Sequence, residues 1–343
     1  MASYEGAVDM MDDGFLGDLY DAGESSTIVE GRTVLIDADM DLYAAAHVAE
    51  GKGFETGVEV LQYKIKNAIE NSRAESRILY LTGAGNFREE LATIAQYKGN
   101  RGHGCPGDAD LLPDGWEFLP TPASEKPEWF GMLKEYLINE MGAVVCEGQE
   151  ADDAMSMKQY AANISGGLDA VKRCECPHTV ISSGDKDLDI SAGWHLDPKT
   201  GELYWCDPIG ELVLKTMANK SKTKKLTGSG LMFFLAQLLM GDSTDNIMGA
   251  AWLDKGLAKA YGTKNLRGFG AVKAYDCLKD LPSTPQGFRD GIARVWEIYQ
   301  ANNFPKCYLI ENMQLLWMRS LPGQLIDWAG LVKYMEAYGY ETK

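Results

Sequence analysis

Acidic residues recur at four places in the chain where they could act together on a divalent metal ion. Asp37 follows the apolar run at residues 34–36, and Asp39 comes two positions later. The other three places contain the segments EADD, SSGDKDLD and GDSTDN, with candidate ligands Glu150, Asp152, Asp153, Asp185, Asp187, Asp242 and Asp245. Crowded carboxylates cannot all ionise without compensation. Mg²⁺ prefers oxygen ligands and would supply that compensation.

The spacing within these segments favours joint use of the carboxylates. Glu150 and Asp153 lie three residues apart, so the two would share one face of a helix. Asp185 and Asp187 would share one face of a strand. Two metal ions about 4 Å apart can activate a water molecule and stabilise the leaving oxygen of a phosphodiester. A single acidic pair is more often a helix cap or a solvated turn, so the hypothesis depends on all four places together.

The elements that would position these residues follow a βα pattern. Short apolar runs at residues 34–36, 78–81, 143–146 and 179–182 predict buried strands, and residues 57–72, 129–141 and 152–162 predict helices between them. This alternation is typical of an α/β fold with a largely parallel sheet that has helices on both faces. Ligand sites in such sheets lie beyond the carboxyl ends of the strands, where three of the acidic groups fall. Beyond about residue 210 the strand signals fade, and the pattern becomes mainly helical.

Composition sets the class of protein. The 343 residues are 45% hydrophobic and 24% charged, which excludes wholesale disorder, and the net charge is −17. No apolar run approaches the roughly 18 residues that span a membrane, and no secretory signal precedes the first strand. Seven cysteines in a chain of this length do not indicate a disulfide framework. We therefore expect a soluble, cytoplasmic protein.

Residues 1–31 are expected to form a flexible acidic tail. Residues 1–30 contain eight acidic residues and no Lys or Arg. An α/β domain at 32–210 with an arch or loop at about 88–128 would follow. A helical region at 211–285 and terminal helices at 286–343 would complete the chain.

Basic residues stand beside the acidic groups in the sequence. The segment NFREELATIAQYKGNR presents Arg88, Tyr97, Lys98 and Arg101, and the last two basic residues are three positions apart. A cationic pair beside a carboxylate–metal site could neutralise a scissile phosphate, and a solvated charged face is the alternative. A lysine-rich run at 215–225 could face nucleic acid or form a solvated linker.

A glycine-rich turn precedes one predicted helix. The segment GFGAVKA contains Gly268, Gly270 and Lys273. Its backbone N–H groups could bind a phosphate with help from the lysine, although a plain turn is the default interpretation.

Taken together and in this order, these motifs resemble the flap endonuclease and 5′→3′ exonuclease family, especially its short bacteriophage members. The motifs are LIDAD, NFREEL…QYKGNR, EADD, ISSGDKDLD, GDSTDNIMG and GFGAVKA, and they cover about residues 33–280. The resemblance implies a PIN-like nuclease domain followed by a helix–hairpin–helix region that binds DNA. It also implies Mg²⁺-dependent cleavage at 5′ ends of duplex or flap DNA, in phage DNA replication in the host cytoplasm.

The resemblance also assigns roles to residues. Two Mg²⁺ ions, for which Mn²⁺ can substitute, would bind the carboxylates of Asp37, Glu150, Asp152, Asp153, Asp185, Asp187, Asp242 and Asp245. Lys98 and Arg101 would act on the phosphate, and Arg88 and Tyr97 would contact DNA. Gly268, Gly270 and Lys273 would belong to the hairpin, where K⁺ could bind. A replication protein could bind the acidic tail, and RNA·DNA hybrids could also be cut.

Two departures from the family pattern keep other hypotheses open. Thr82 and Gly83 stand where a carboxylate usually ends the second strand, so Asp39 or a water molecule would have to replace it. About 18 residues, 250–267, are inserted before the glycine turn. A non-catalytic nucleic-acid-binding protein of the same fold, or an enzyme like ribonuclease H that prefers RNA·DNA hybrids, are the alternatives.

Overall fold

A six-stranded sheet forms the centre of the first half of the protein. The computed structural model describes residues 27–99, 126–218, 222–250 and 269–341. The strands are β1 (Val29–Asp37), β2 (Ala74–Thr82), β3 (Val144–Cys146), β4 (His178–Ser182), β5 (Gly193–Leu196) and β6 (Leu203–Cys206), in the order β3-β2-β1-β4-β5-β6. All neighbouring pairs are parallel except β5 and β6. The predicted mainly parallel sheet is confirmed.

Helices cover both faces of this sheet, as predicted. Val34 and Ile36 pack in one core cluster with residues of α1 (Ala38–Ala49), α2 (Phe54–Ser72) and α4 (Phe130–Asn139). Leu35 points to the other face, because successive strand residues alternate, and it packs with Met155 of α5 (Ala151–Gly166). Two short helices, α3 (Phe87–Leu91) and α6 (Leu168–Lys172), complete this half.

The second half is mainly helical, but it begins with a hairpin that the sequence analysis did not predict. Strands β7 (Leu212–Thr216) and β8 (Lys224–Gly228) pair antiparallel in a separate two-stranded sheet. Leu214 and Leu226 face each other, and Leu226 is buried in the core. The apolar run LVL is the signal for β7, and the lysines that follow it obscured the hairpin.

A buried helix organises the C-terminal core. Helix α7 (Gly230–Met240) is buried along nearly its whole length, and its neighbours in the core include α8 (Ala271–Leu278), α9 (Pro285–Ala301) and α10 (Lys306–Leu316). The last helix is α11 (Trp328–Ala337). Gly241 ends α7 with a φ of 68°, a left-handed conformation that favours glycine. The chain then turns sharply, so that Asp242 and Ile247 exchange two backbone hydrogen bonds of 2.8 Å. Among the described residues, no helix is both long and apolar enough to cross a membrane.

We predict that Phe234→Ala destabilises the protein by about 3–5 kcal/mol, because this α7 side chain is fully buried and its loss leaves a cavity. Urea unfolding followed by circular dichroism measures the change. The control is Met132→Ala on α4, where the side chain is 51% exposed, and it should change stability by less than about 0.5 kcal/mol. Equal effects in the two variants would contradict the packing described for α7.

Candidate metal centre

Three predicted ligands meet at the carboxyl edge of the sheet, and none of the described cations pairs with them. Asp37 is the last residue of β1, Asp185 follows β4, and Asp152 lies in the first turn of α5. Asp185 raises the pKa of Asp37, and Asp37 and Asp185 both raise the pKa of Asp152. Within the described parts of the chain, no Lys or Arg forms an ion pair with any of the three. We call this set of residues the open carboxylate group.

Burial and mutual repulsion act on the open carboxylate group. Burial, and then the charge of Asp39, raise the pKa of Asp37 to about 7, although Ser183 donates a hydrogen bond of 2.9 Å to it. Burial, and then the charges of Asp37 and Asp185, raise the pKa of Asp152 well above its usual range. The Asp152 carboxylate accepts no hydrogen bond from any other residue that the structure describes. This donor set of oxygens fits a hard divalent cation.

A lysine compensates a second pair of predicted ligands. Lys186 lies between Asp187 and Asp242, with Nζ–Oδ distances of 2.7 and 2.5 Å. Gln237 of α7 also donates to Asp187. Burial and the charge of Asp185 raise the pKa of Asp187 to about 7 in spite of the lysine. Burial also tends to raise the pKa of Asp242. The charge of Lys186 outweighs burial there, so the pKa of Asp242 is lowered.

A third pair of predicted ligands is compensated by Lys98 and Tyr97. Lys98 donates to Glu150 and lies 4.0 Å from Asp245, and the Tyr97 hydroxyl bonds to both carboxylates. Burial opposes the charged form of Glu150, but Lys98 and Arg88 outweigh it, so the pKa of Glu150 is lowered. Lys98 remains 25% exposed. It is therefore accessible to a ligand at this edge.

Asp153 and Arg88 differ from their predicted roles. Arg88 donates two hydrogen bonds to Asp153, of 2.6 and 3.0 Å, and both side chains are fully buried. The same guanidinium donates to the carbonyls of Leu315 and Trp317. The predicted DNA contact of Arg88 is wrong because the side chain does not reach the surface. The pair joins the α/β half to the C-terminal helices, and the Asp153 carboxylate has no free face for a metal ion.

The remaining predicted DNA contacts lie in three different settings. Tyr97 is only 4% exposed, so its ring is not available to stack on a base, contrary to the prediction. Gly270 is the N-cap of α8, and Lys273 is exposed on its first turn. Arg101 and Gly268 lie outside the described residues.

The missing carboxylate on β2 is explained by local packing. A Cβ atom on Gly83 would lie 2.7 Å from the backbone carbonyl oxygen of Cys146, so a side chain there would collide with β3. The Thr82 hydroxyl accepts a hydrogen bond of 3.1 Å from the Ala151 N–H, and the Thr82 N–H donates a hydrogen bond of 2.8 Å to the Asp39 carboxylate. Asp39 thus places a carboxylate at the end of β2. The expectation that it replaces the missing ligand stays a prediction.

Sequence reasoning missed three residues that shape the centre: Ser183, Lys186 and Gln237. Lys186 stands between two predicted ligands in GDKD, where its charge was a visible signal. Gln237 was the one polar residue in an otherwise apolar run, which is a signal for a buried hydrogen bond. Ser183 carried no signal, because its role depends on β1 and β4 being neighbours.

Comparisons with known proteins return structural matches only. No family model and no curated protein matches the sequence. A T5 protein co-crystallised with metal ions matches at 16% identity with a TM-score of 0.47, over 89% of this chain and 93% of the other. A mutant T5 5′-exonuclease matches at 14% identity with a TM-score of 0.38, over 90% and 97%. A bacteriophage T5 flap endonuclease in complex with DNA and metal ions matches at 14% sequence identity with a TM-score of 0.41, over 90% of this chain and 97% of the other.

We predict that Asp37→Asn raises the melting temperature of the metal-free protein. Asn retains the N-cap and the Ser183 contact while it removes one crowded charge. Asp37 and Asp187 have pKa values of about 7 in the folded protein, above the usual 3.8. Between pH 3.8 and about 7, the folded protein therefore binds more protons than the unfolded chain. The metal-free wild type should therefore lose stability as the pH rises from about 4 to 7.

Thermal melts in chelator across this pH range test the prediction. The wild type should also gain stability when Mg²⁺ is added at pH 7.5, and Asp37→Asn should gain less. A variant that melts below the wild type at every pH would show that the carboxylates are not in conflict.

Proposed function

We propose that this protein is a divalent-metal-dependent nuclease that hydrolyses phosphodiester bonds at the 5′ ends of duplex or flap DNA. The observation that carries the proposal is the open carboxylate group of Asp37, Asp152 and Asp185 at the carboxyl edge of a parallel sheet, where no cation from the described parts of the chain forms an ion pair with it. The order of the motifs supports the substrate class. RNA primers paired to DNA are included as substrates, and the setting is phage DNA replication in the host cytoplasm.

The open carboxylate group would hold the first Mg²⁺, with Asp39 beside it. When bound, such ions supply an activated water and stabilise the leaving oxygen. Asp187 and Asp242 would help to hold a second ion only after Lys186 moves away from them. Lys186 is 41% exposed, so it has room to move. The second site is therefore the weaker one.

Lys98 is proposed to bind the scissile phosphate. Its ammonium lies at the same edge as the carboxylates, and Glu150 and Asp245 orient it. A fixed cation beside a phosphate stabilises the charge that develops during cleavage. Arg101, three residues later, is proposed to share this role.

The lysine hairpin is proposed to bind the duplex backbone. Lys215 and Lys225 lie directly opposite each other on β7 and β8, and both are exposed. Like charges opposite each other destabilise a sheet, and an anionic partner would relieve the repulsion. The hairpin packs against α8, which carries Lys273. Together these residues form a basic surface on an otherwise acidic chain, and bound K⁺ near the turn at 268–270 remains part of the proposal.

Cleavage of a 5′-labelled flap duplex tests the function, with Mg²⁺ in one arm and chelator in the other. We predict that Asp185→Asn lowers kcat by at least about 10³-fold while the protein stays folded, because the variant removes a ligand charge from the open carboxylate group. The control is Asp290→Asn, an exposed substitution on α9. Wild-type activity in Asp185→Asn would contradict the assignment.

We predict that Lys98→Ala lowers kcat by about 10²–10³-fold with a much smaller change in duplex affinity. Single-turnover cleavage and metal-free binding separate the two effects. Lys98 also compensates the charge of Glu150. A melting curve of Lys98→Gln therefore tests whether the protein stays folded without this charge. A loss of affinity equal to the loss of rate would assign the lysine to binding alone.

We predict that the double variant Lys215→Gln/Lys225→Gln binds duplex DNA more weakly, and that the slope of log K against log salt becomes shallower by about 2. The matched control is Lys66→Gln/Lys333→Gln, which removes two exposed lysines from α2 and α11. An equal loss in both variants would show that only net charge matters.

A non-catalytic binding role is the second candidate. The observation that favours it is Lys186, which occupies the space between Asp187 and Asp242 as a metal ion would. Retained duplex binding without cleavage in any divalent metal would support this candidate. An RNA·DNA duplex in the same assay would reveal a preference for hybrids. A replication-protein partner for the tail stays a prediction.

A further inference from the structure

A second cluster of metal-ligating side chains lies at the far edge of the sheet. Asp189 belongs to the 3₁₀ turn Lys186–Ile190, His195 to β5 and Cys206 to β6. In the antiparallel register, His195 pairs with Tyr204, and Cys206 follows two residues later on the same face. The strand pairing thus brings the imidazole and the thiol to one side of the sheet. The turn after β4 adds the carboxylate.

The donor atoms of this cluster are close enough to share one ion. One ligand atom from each of the three residues lies within 4.8 Å of the other two. The Cys206 Sγ is 4.0 Å from Oδ1 of Asp189. Tyr204 donates a hydrogen bond of 2.8 Å to that same oxygen, so the carboxylate is already oriented. Oδ2 of Asp189 accepts no hydrogen bond from the described residues.

The histidine is prepared to act as a ligand. Its Nε2 lies 2.8 Å from the Ser191 carbonyl and 3.3 Å from the Gln159 amide nitrogen. Because a carbonyl oxygen only accepts, the shorter contact assigns the ring proton to Nε2 and leaves Nδ1 as the basic atom. Nδ1 forms no hydrogen bond with any described residue. A ligating histidine commonly donates its other ring N–H to a backbone carbonyl in this way. Burial lowers the pKa of His195 to about 4, so the ring is neutral at pH 7.

We propose that Asp189, His195 and Cys206 bind one Zn²⁺ ion at a site separate from the open carboxylate group. One imidazole nitrogen, one thiolate and one carboxylate suit zinc, whereas Mg²⁺ takes oxygen ligands. On binding, the Cys206 thiol loses its proton to solvent and the sulfur–zinc bond forms. A water molecule completes a tetrahedral site, with the Tyr204 hydroxyl beside it.

The site would fix the turn that carries two predicted magnesium ligands. The 3₁₀ turn contains Asp187, and Asp185 is its N-cap. Zinc would join this turn to β5 and β6 through three side chains. The zinc ion would therefore hold this turn against the two strands, and the proposal does not depend on nuclease activity.

Cobalt substitution in the full-length protein tests the site. We expect about one equivalent of Co²⁺ to bind in excess Mg²⁺ and to give a thiolate-to-cobalt charge-transfer band, which zinc then displaces. The band should disappear in Cys206→Ser and weaken at least about tenfold in His195→Gln. It should remain in the control Cys307→Ser, an exposed cysteine on α10, and in Asp185→Asn. A band that survives in Cys206→Ser would overturn the proposal.

X-ray absorption at the zinc edge of the wild type avoids the risk that a variant misfolds. We expect one sulfur ligand and an imidazole signature at one equivalent of zinc. Coordination by oxygen and nitrogen alone, or loss of the zinc on dialysis against Mg²⁺ buffer, would overturn the assignment. Because Asp185→Asn removes the proposed nuclease activity but not this site, failure of one proposal is distinguishable from failure of the other.

Discussion

The compensation of crowded carboxylates is the constraint on which this structure depends. The parallel sheet brings Asp37 and Asp185 to one edge because β1 and β4 are neighbours, and α5 adds its first turn there. Five of the eight predicted ligands contact one of three cations of this chain: Arg88 is buried against Asp153, Lys98 contacts Glu150 and Asp245, and Lys186 lies between Asp187 and Asp242. Among the described residues, no Lys or Arg forms an ion pair with the open carboxylate group. That imbalance is the strongest structural reason to expect a metal ion.

The same ion pairs connect the two halves of the protein. Arg88 bonds to the carbonyls of Leu315 and Trp317, so one buried guanidinium connects the sheet to the C-terminal helices. The buried helix α7 holds the turn that carries Asp242, and its Gln237 reaches Asp187. A buried pair of this kind is strongly destabilising to break, although replacing both partners can be nearly neutral. The site and the core are therefore coupled.

Sequence patterns identified four of the six strands of the sheet but not β5 and β6. Four apolar runs marked the positions of β1 to β4, although β1 and β2 are nine residues long and therefore longer than predicted. Acidic segments lie at the carboxyl ends of β1, β3 and β4. The patterns failed where a residue's partner is distant in the chain. Arg88 looked like a surface cation because its partner, Asp153, lies 65 residues away. The strand β8 was missed because three of its five residues, Lys224, Lys225 and Gly228, lack a strand signature. Packing against α7 and α8 stabilises it instead.

The most direct test of the central claim is the position of bound metal. Anomalous diffraction from crystals soaked in Mn²⁺, which substitutes for Mg²⁺, locates each ion without reference to activity. The account predicts a strong peak among Asp37, Asp152 and Asp185. A second peak about 4 Å away would accompany displacement of Lys186 from Asp187 and Asp242. Crystals with Mn²⁺ bound elsewhere, and with none among these three carboxylates, would contradict the account.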